Sequence, residues 1–138
     1  MTTTIRASTT NHRAASVLLR LVVIVLTLST AIIHARLGGV LFTLNALGYV
    51  ALATAMVLPG PFGRLRWLTR LVLIGFTTAT IAGWVLVGAR FPLAYLDKGI
   101  EVALIVFLAF EVWLDGGPAA MRLRLREVAL ATRHLAAR

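Results

Sequence analysis

The stretch Leu21–Ile33, LVVIVLTLSTAII, contains no charged side chain and decides the fold. It lies inside a longer apolar run over 15–35, and three runs of similar length follow at 38–58, 67–89 and 93–114. A helix of about 20 residues is about 30 Å long, which matches the hydrocarbon core of a bilayer. We therefore predict an all-α protein with four transmembrane helices over these runs.

The composition supports a membrane protein and excludes several other classes. Of the 138 residues, 59% are apolar and 14% are charged, and the mean hydropathy is +0.91. A soluble domain typically has about 25% charged residues, and a water-soluble fold of this size cannot hide so much apolar surface. The runs are continuous rather than alternating, which argues against barrel strands. The absence of cysteine excludes disulfides and thiolate metal sites.

The segments between the runs are short and rich in turn-forming residues. They read Gly38-Gly39, PGPFG over 59–63 and GARFP over 88–92. Glycine and proline at these points end one helix and start the next. Because short connections make neighbouring helices antiparallel, we predict an antiparallel four-helix bundle. The chain then divides into an N-terminal tail (1–14), a membrane domain (15–115) and a basic C-terminal segment (116–138).

The net charge of +9 raises the question of a nucleic-acid partner, but the positions of the charges argue against one. With four spans, eleven basic residues fall on one side of the membrane and three on the other. The positive-inside rule then places both termini in the cytoplasm. Arginine outnumbers lysine thirteen to one, which suggests a GC-rich, prokaryotic genome and hence the plasma membrane. The eleven are Arg6, Arg13, Arg20, Arg64, Arg66, Arg70, Arg122, Arg124, Arg126, Arg133 and Arg138; the three are Arg36, Arg90 and Lys98.

The C-terminal segment has the pattern of an amphipathic interfacial helix. Met121, Leu125 and Val128 share one narrow arc of a helical wheel, and several arginines lie away from it. Such a helix rests its apolar face at the acyl boundary and its guanidinium groups among anionic lipid headgroups. A frayed basic tail and a protein-binding surface remain open alternatives. The headgroup contacts are assigned to Arg122, Arg124, Arg126 and Arg133.

Polar residues inside the apolar spans are candidates for a functional site. Antiparallel threading brings nine of them to the outer half of the membrane, with Glu101 about 10–13 Å deep. A carboxylate at that depth needs a cationic partner or a bound proton. The group is either a polar pocket for a small ligand or proton, or a structural network. The nine residues are His34, Arg36, Asn45, Tyr49, Arg90, Tyr95, Asp97, Lys98 and Glu101.

A second polar layer is predicted near the cytoplasmic side. Glu111 and Asp115 are four residues apart on the fourth helix, and Arg20 and Arg70 lie at comparable depth. Residues four apart share one helix face, so both carboxylates can meet a cation from a neighbouring helix. We interpret this layer as a structural ion pair.

Several chemistries are set aside. A haem between helices usually needs two histidines, whereas only His34 lies near a span, and the same count argues against a metal cluster. The sequence contains none of the common hydrolase, metalloprotease, P-loop or dinucleotide motifs. We therefore expect no catalytic residue, no metal, no cofactor and no enzymatic activity.

Stripes of small residues predict close helix packing, within the chain or between copies. The third helix carries Gly75, Ala79 and Gly83 at four-residue spacing, and the second carries Gly48 on one side.

Two stretches together resemble a known family. They are Leu44–Tyr49 (LNALGY) and Gly88–Glu101 (GARFPLAYLDKGIE). The chain resembles small four-helix integral membrane proteins of bacteria and archaea, over most of the four-span core but not the tails. That family has no assigned activity, so the resemblance implies fold and location only.

The sequence leads to three functional hypotheses. The first is a structural or accessory membrane protein, as a homo-oligomer or as a subunit of a larger complex. The second is a small-solute or proton-coupled transporter that uses Glu101. The third is a sensor of anionic lipid that uses the basic C-terminal segment.

Overall fold

A computed structural model describes residues 3–59, 65–117, 119–120, 122–123, 125–127 and 130, with side chains from residue 14 onward. The regular secondary structure of these residues is α-helical, which confirms the predicted all-α class. The long helices are α1 (Thr3–Leu37), α2 (Val40–Val57), α3 (Arg66–Val87) and α4 (Pro92–Leu114). Their ends inside the predicted membrane domain lie within about two residues of the predicted spans.

Three of these helices are long and apolar enough to cross a membrane: α1 over Ala14–Leu37, α2 and α3. The fourth helix, α4, has 23 residues and comparable length. It differs in composition, because it carries the charged residues Asp97, Lys98, Glu101 and Glu111.

The four helices form a ring. α1 packs against α2 and α4, and α3 packs against the same two helices. Each helix contributes to one shared core, which includes Val23 of α1, Tyr49 and Met56 of α2, Leu73 of α3 and Leu104 of α4. The turn from α1 to α2 consists of Gly38 and Gly39, with φ of 71° and 83°, a backbone conformation that glycine adopts without steric cost.

The bundle is apolar outside and holds polar side chains inside, beside its apolar core. Large apolar side chains are exposed along all four helices, for example Val25, Leu47, Leu86 and Val106. Charged and hydroxyl side chains are buried between the helices, and Glu101 has no exposed surface. A protein that folds in water has the reverse distribution, so the outer surface is suited to lipid.

The stripes of small residues differ in their contacts. Gly48 packs directly against α3, because a Cβ atom there would lie 2.6 Å from the Phe76 ring. Around Gly75 and Gly83 there is open space, and Ala79 and Gly83 line a cavity. All three residues of the α3 stripe are exposed, and their packing against a second copy stays a prediction.

The structure describes only part of the segment predicted to form a C-terminal amphipathic helix. Arg122 and Arg126 have helical backbone and exposed side chains. Arg124 and Arg133, with Met121 and Val128, lie outside the described residues. Contact of this segment with lipid headgroups therefore stays a prediction.

Candidate functional site

One face of α4 carries three buried ionisable side chains. Phe91 is the N-cap and Pro92 opens the helix, so Asp97, Lys98 and Glu101 fall in its second and third turns. Helical spacing of three and four residues places them on one side. That side faces the other helices, since Asp97 is 1% exposed, Lys98 9% and Glu101 0%.

Glu101 is the centre of the contacts. The Lys98 ammonium lies 2.5 Å from its Oε2. The Tyr49 hydroxyl of α2 donates to Oε1 at 2.8 Å. The Thr80 hydroxyl of α3 lies 2.9 Å from Oε1 and 2.8 Å from the Thr77 carbonyl oxygen, and its single proton serves one of them at a time.

Asp97 connects α4 to α1. The Thr30 hydroxyl donates to Asp97 Oδ1 at 2.6 Å. The Lys98 ammonium lies 3.0 Å from Asp97 Oδ2. Lys98 therefore bridges both carboxylates of this face, and α1 holds the other oxygen of Asp97.

His34 lies one turn after Thr30 on α1 and is 2% exposed. Its Nδ1 lies 2.9 Å from the Thr30 carbonyl oxygen. Because a carbonyl only accepts, Nδ1 is the nitrogen that carries the proton. The other nitrogen, Nε2, lies 3.9 Å from Glu101 Oε1, too far for a hydrogen bond. Nε2 and the Glu101 carboxylate are therefore close without a hydrogen bond between them.

We call this group the Glu101 cluster. Its ionisable members are two carboxylates, one ammonium and one imidazole, and hydroxyl groups from three helices complete it. When the imidazole is neutral the carboxylates outnumber the ammonium by one. A buried excess of negative charge is costly, so the arrangement favours one further cation. The cluster comprises Thr30, His34, Tyr49, Thr80, Asp97, Lys98 and Glu101.

A cavity of about 520 Å³ lies beside the cluster. Most of its wall is apolar, with aromatic side chains from α2, α3 and the segment before α4. His34, Asp97 and Lys98 form the ionisable part of the wall. A mainly apolar cavity with a few polar groups is typical of small-molecule sites. The aromatic residues are Phe42, Phe76, Trp84 and Phe91.

The structure separates the nine predicted residues into two groups. Five belong to the Glu101 cluster. The other four lie around it: Asn45 lines the cavity, and Arg36 is exposed. Arg90 lies 4.3 Å over the Trp84 ring and donates to the Val85 carbonyl oxygen. Tyr95 is 55% exposed and packs edge-on against Trp84.

Thr30 and Thr80 are functional candidates that sequence reasoning missed. A threonine in an apolar helix commonly donates to a carbonyl of its own helix, as Thr78 does to Ile74 at 2.7 Å. Thr80 also reaches a carboxylate on α4, and Thr30 reaches one as well. Spacing offered one signal for Thr30, because it precedes His34 by one helical turn and so shares its face.

The second predicted layer is brought together in part. Arg70 Nη2 lies 2.8 Å from Glu111 Oε1, and Arg70 Nη1 pairs with Asp115. We call these three residues the Arg70 cluster. Arg20 forms no ion pair with either carboxylate in the part of the chain that the structure describes, and its Nε is buried without a hydrogen-bond partner there. Arg70 Nε and Glu111 Oε2 are also without partners.

Three members of the Glu101 cluster offer metal-binding atoms. One donor atom each from His34, Asp97 and Glu101 lies within 4.8 Å of the other two, and all three residues are buried. The sequence argument against metals counted histidines alone, whereas here α4 supplies two carboxylates. Because Lys98 holds the same carboxylates, a metal ion has to compete with its ammonium group.

The searches for related proteins were negative, since no family model, no curated protein and no solved structure matches this chain.

Proposed function

We propose that this chain is a small carrier in a prokaryotic plasma membrane, with four spans and both termini in the cytoplasm. A cation bound at the Glu101 cluster is coupled to the occupancy of the neighbouring cavity by a small, mainly apolar solute. The observation that carries this proposal is the contact between an apolar cavity and a buried cluster of two carboxylates, one ammonium and one imidazole. We propose no enzymatic reaction and no nucleic-acid partner.

The exposed surface of α4 supports its role as the fourth span. This helix carries four charged residues, but all four are buried between helices. The outward side chains are apolar from Leu96 through Val102, Val106 and Phe110 to Trp113. In lipid, polar groups are tolerated where they face the bundle interior and find partners.

Contacts between α3 and α4 support the antiparallel arrangement. Arg70, near the start of α3, pairs with Glu111, near the end of α4. Thr80, later in α3, lies against Glu101, earlier in α4. With this order the basic residues divide eleven to three between the two membrane faces, which favours cytoplasmic termini.

Reporter fusions test this topology. A reporter active only in the cytoplasm should work when fused at either terminus or in the 59–63 connection. A reporter active only outside the cytoplasm should work in the 88–91 connection. The expected pattern follows from the charge distribution, and an external C-terminus would contradict it.

The carrier proposal rests on the position of the cluster. Lys98, Asp97 and Thr80 line the cavity and lie against Glu101, which itself has no exposed surface. A solute in the cavity therefore contacts groups that hold the cation. Binding of one then changes the affinity for the other, which is the requirement for coupling.

Flux measurements test the carrier proposal. Purified protein is reconstituted in liposomes loaded with the pH-sensitive dye pyranine, and in a second preparation with a zinc-responsive dye. We expect a cation flux in at least one preparation, and at least a tenfold loss of that flux, about 1.4 kcal/mol, in Glu101→Gln. The matched control is Glu127→Gln, at an exposed carboxylate. Absence of flux in both preparations, or equal flux in wild type and Glu101→Gln, would contradict the proposal.

A structural or accessory role is the second candidate, and one observation favours it. The Glu101 cluster joins all four helices, through Thr30, Tyr49, Thr80 and α4 itself. Such a network orders a bundle without any transport, in a homo-oligomer or in a larger complex. It predicts that Glu101→Gln lowers stability in detergent while no flux is seen with any variant.

A further inference from the structure

We infer that the Glu101 cluster is a site for a divalent transition-metal ion, in which the Lys98 ammonium is a tethered competitor. This inference deepens the proposed function, since it names the cation that the carrier binds. It rests on the donor atoms of His34, Asp97 and Glu101 and on the way in which their neighbours orient them.

The imidazole of His34 is oriented as in metal sites. Its Nδ1 donates to the Thr30 carbonyl oxygen at 2.9 Å, which leaves Nε2 as the electron-pair donor. A metal-bound histidine almost always has its other nitrogen tied in this way. Among the described residues, no hydrogen-bond donor reaches Nε2, although His34 is 2% exposed. In the neutral imidazole the Nε2 lone pair is therefore available to a ligand, 3.9 Å from Glu101 Oε1.

Each carboxylate has one oxygen held in place and one oxygen turned to Lys98. Thr30 fixes Asp97 Oδ1, and Tyr49 fixes Glu101 Oε1. The second oxygens, Oδ2 of Asp97 and Oε2 of Glu101, lie 3.0 and 2.5 Å from the Lys98 nitrogen. The ammonium group therefore occupies a cation position between two oriented carboxylates.

The distances suit a metal after small shifts. One donor atom of each of the three residues already lies within 4.8 Å of the others, and the carboxylate oxygen beside Nε2 is Glu101 Oε1, at 3.9 Å. Four-coordinate zinc has ligands at about 2.0–2.2 Å, so its donors are about 3.4 Å apart, and shifts of about 1 Å suffice. One imidazole nitrogen and two carboxylate oxygens suit Zn²⁺ and similar transition-metal ions, whereas Mg²⁺ and Ca²⁺ prefer oxygen ligands alone.

Lys98 has a place to move when a metal binds. Its side chain lines the cavity and is 9% exposed, so the ammonium group can turn from the carboxylates into that space. A divalent ion then balances the two carboxylates. The exchange moves the lysine charge into the volume proposed for the solute, which links metal binding to the occupancy of the cavity.

The test is metal binding by the full chain in detergent. His12 and His134, the two other histidines, are replaced by Gln so that only His34 remains. Co²⁺ is titrated and followed by its visible absorption, and Zn²⁺ is titrated by calorimetry. We expect one ion per chain, and His34→Asn or Asp97→Asn should lower the affinity by at least about 100-fold.

Lys98 variants should act in the opposite direction. Lys98→Met removes the tethered competitor, so the affinity should rise at least about tenfold. Lys98→Arg keeps a cation and serves as the matched control. If Lys98→Met does not fold without metal, its recovery when Zn²⁺ is present supports the same conclusion. A decrease in metal affinity in folded Lys98→Met would contradict the role of Lys98 as a competitor.

Two outcomes overturn the inference: no binding of Co²⁺ or Zn²⁺, or binding that His34→Asn and Asp97→Asn leave unchanged. These outcomes are separate from those of the flux assay. If pyranine reports a proton flux but no metal binds, the metal site is contradicted and the carrier proposal is not. If metal binds but neither preparation shows a flux, the metal site is supported and the carrier proposal is contradicted.

Discussion

Replacing Glu101 by alanine is expected to destabilise the bundle by about 3–5 kcal/mol, since it leaves buried partners without their counter-charge. Lys98 keeps only Asp97, and the Tyr49 hydroxyl loses the carboxylate to which it donates. The unfolding free energy is measured in detergent micelles, with a chelator present, by far-ultraviolet circular dichroism. The chelator separates this effect from any contribution of a bound metal.

Glu101→Gln and Glu127→Ala complete this experiment. The glutamine amide oxygen still accepts from Tyr49 and Thr80, so we expect a smaller cost of about 1–3 kcal/mol. Glu127 is exposed, and its removal should change stability by no more than about 0.5 kcal/mol. If Glu101→Ala were no less stable than Glu127→Ala, the cluster would not connect the helices as described.

The helices were predictable because each depends on a long local pattern. Continuous apolar runs and glycine or proline breaks located α2 and α3 within about two residues. Composition alone does not decide whether α4 crosses a membrane. A mean hydropathy counts charged residues without regard to the helix face on which they lie. In the structure, Asp97 and Glu111 are both buried between helices.

The depth of the candidate site in the membrane was predictable, but the faces of the helices that form it were not. Counting residues from the helix ends placed Asn45 and Glu101 at similar depth, in the outer half of the membrane that also holds His34 and Tyr49. The same count included Tyr95 and Arg90, which the structure places against Trp84 instead. Depth follows from the number of residues, whereas the face that a side chain takes depends on the rotation of each helix against its neighbours. No single-helix pattern contains that rotation.

The hydroxyl partners of the cluster depend on the same rotation. A threonine in an apolar helix satisfies its hydroxyl locally unless a stronger acceptor faces it. Thr30 and Thr80 meet carboxylates from α4, so they belong to the site, whereas Thr78 is exposed and does not. The sequence alone assigns each of these threonines to a helix, but it does not show which of them faces a carboxylate.

Arg70→Met is the second substitution for which we expect a large loss of stability, again about 3–5 kcal/mol. Arg70 is 5% exposed and pairs with Glu111, which is 4% exposed. The substitution leaves the Glu111 carboxylate buried without a cation. Asp115 has about half of its side chain exposed, so water can replace Arg70 there, and most of the loss arises from Glu111.

The double variant Arg70→Met/Glu111→Leu should recover most of this loss. The pair is incomplete even in the native chain, because Arg70 Nε and Glu111 Oε2 are buried without hydrogen-bond partners among the described residues. The cost of removing both charges from water is therefore only partly offset, and replacing such a pair by apolar side chains of similar volume is often neutral or stabilising.

Arg36→Met, at an exposed arginine, controls for the loss of one basic residue. The unfolding free energies of all four proteins are compared in one detergent, and a double variant as unstable as Arg70→Met would show that the ion pair itself stabilises the fold. Recovery would instead indicate that the Arg70 cluster is kept for the orientation or pairing of α3 and α4 rather than for stability, because the same two charges also fix which ends of these helices meet.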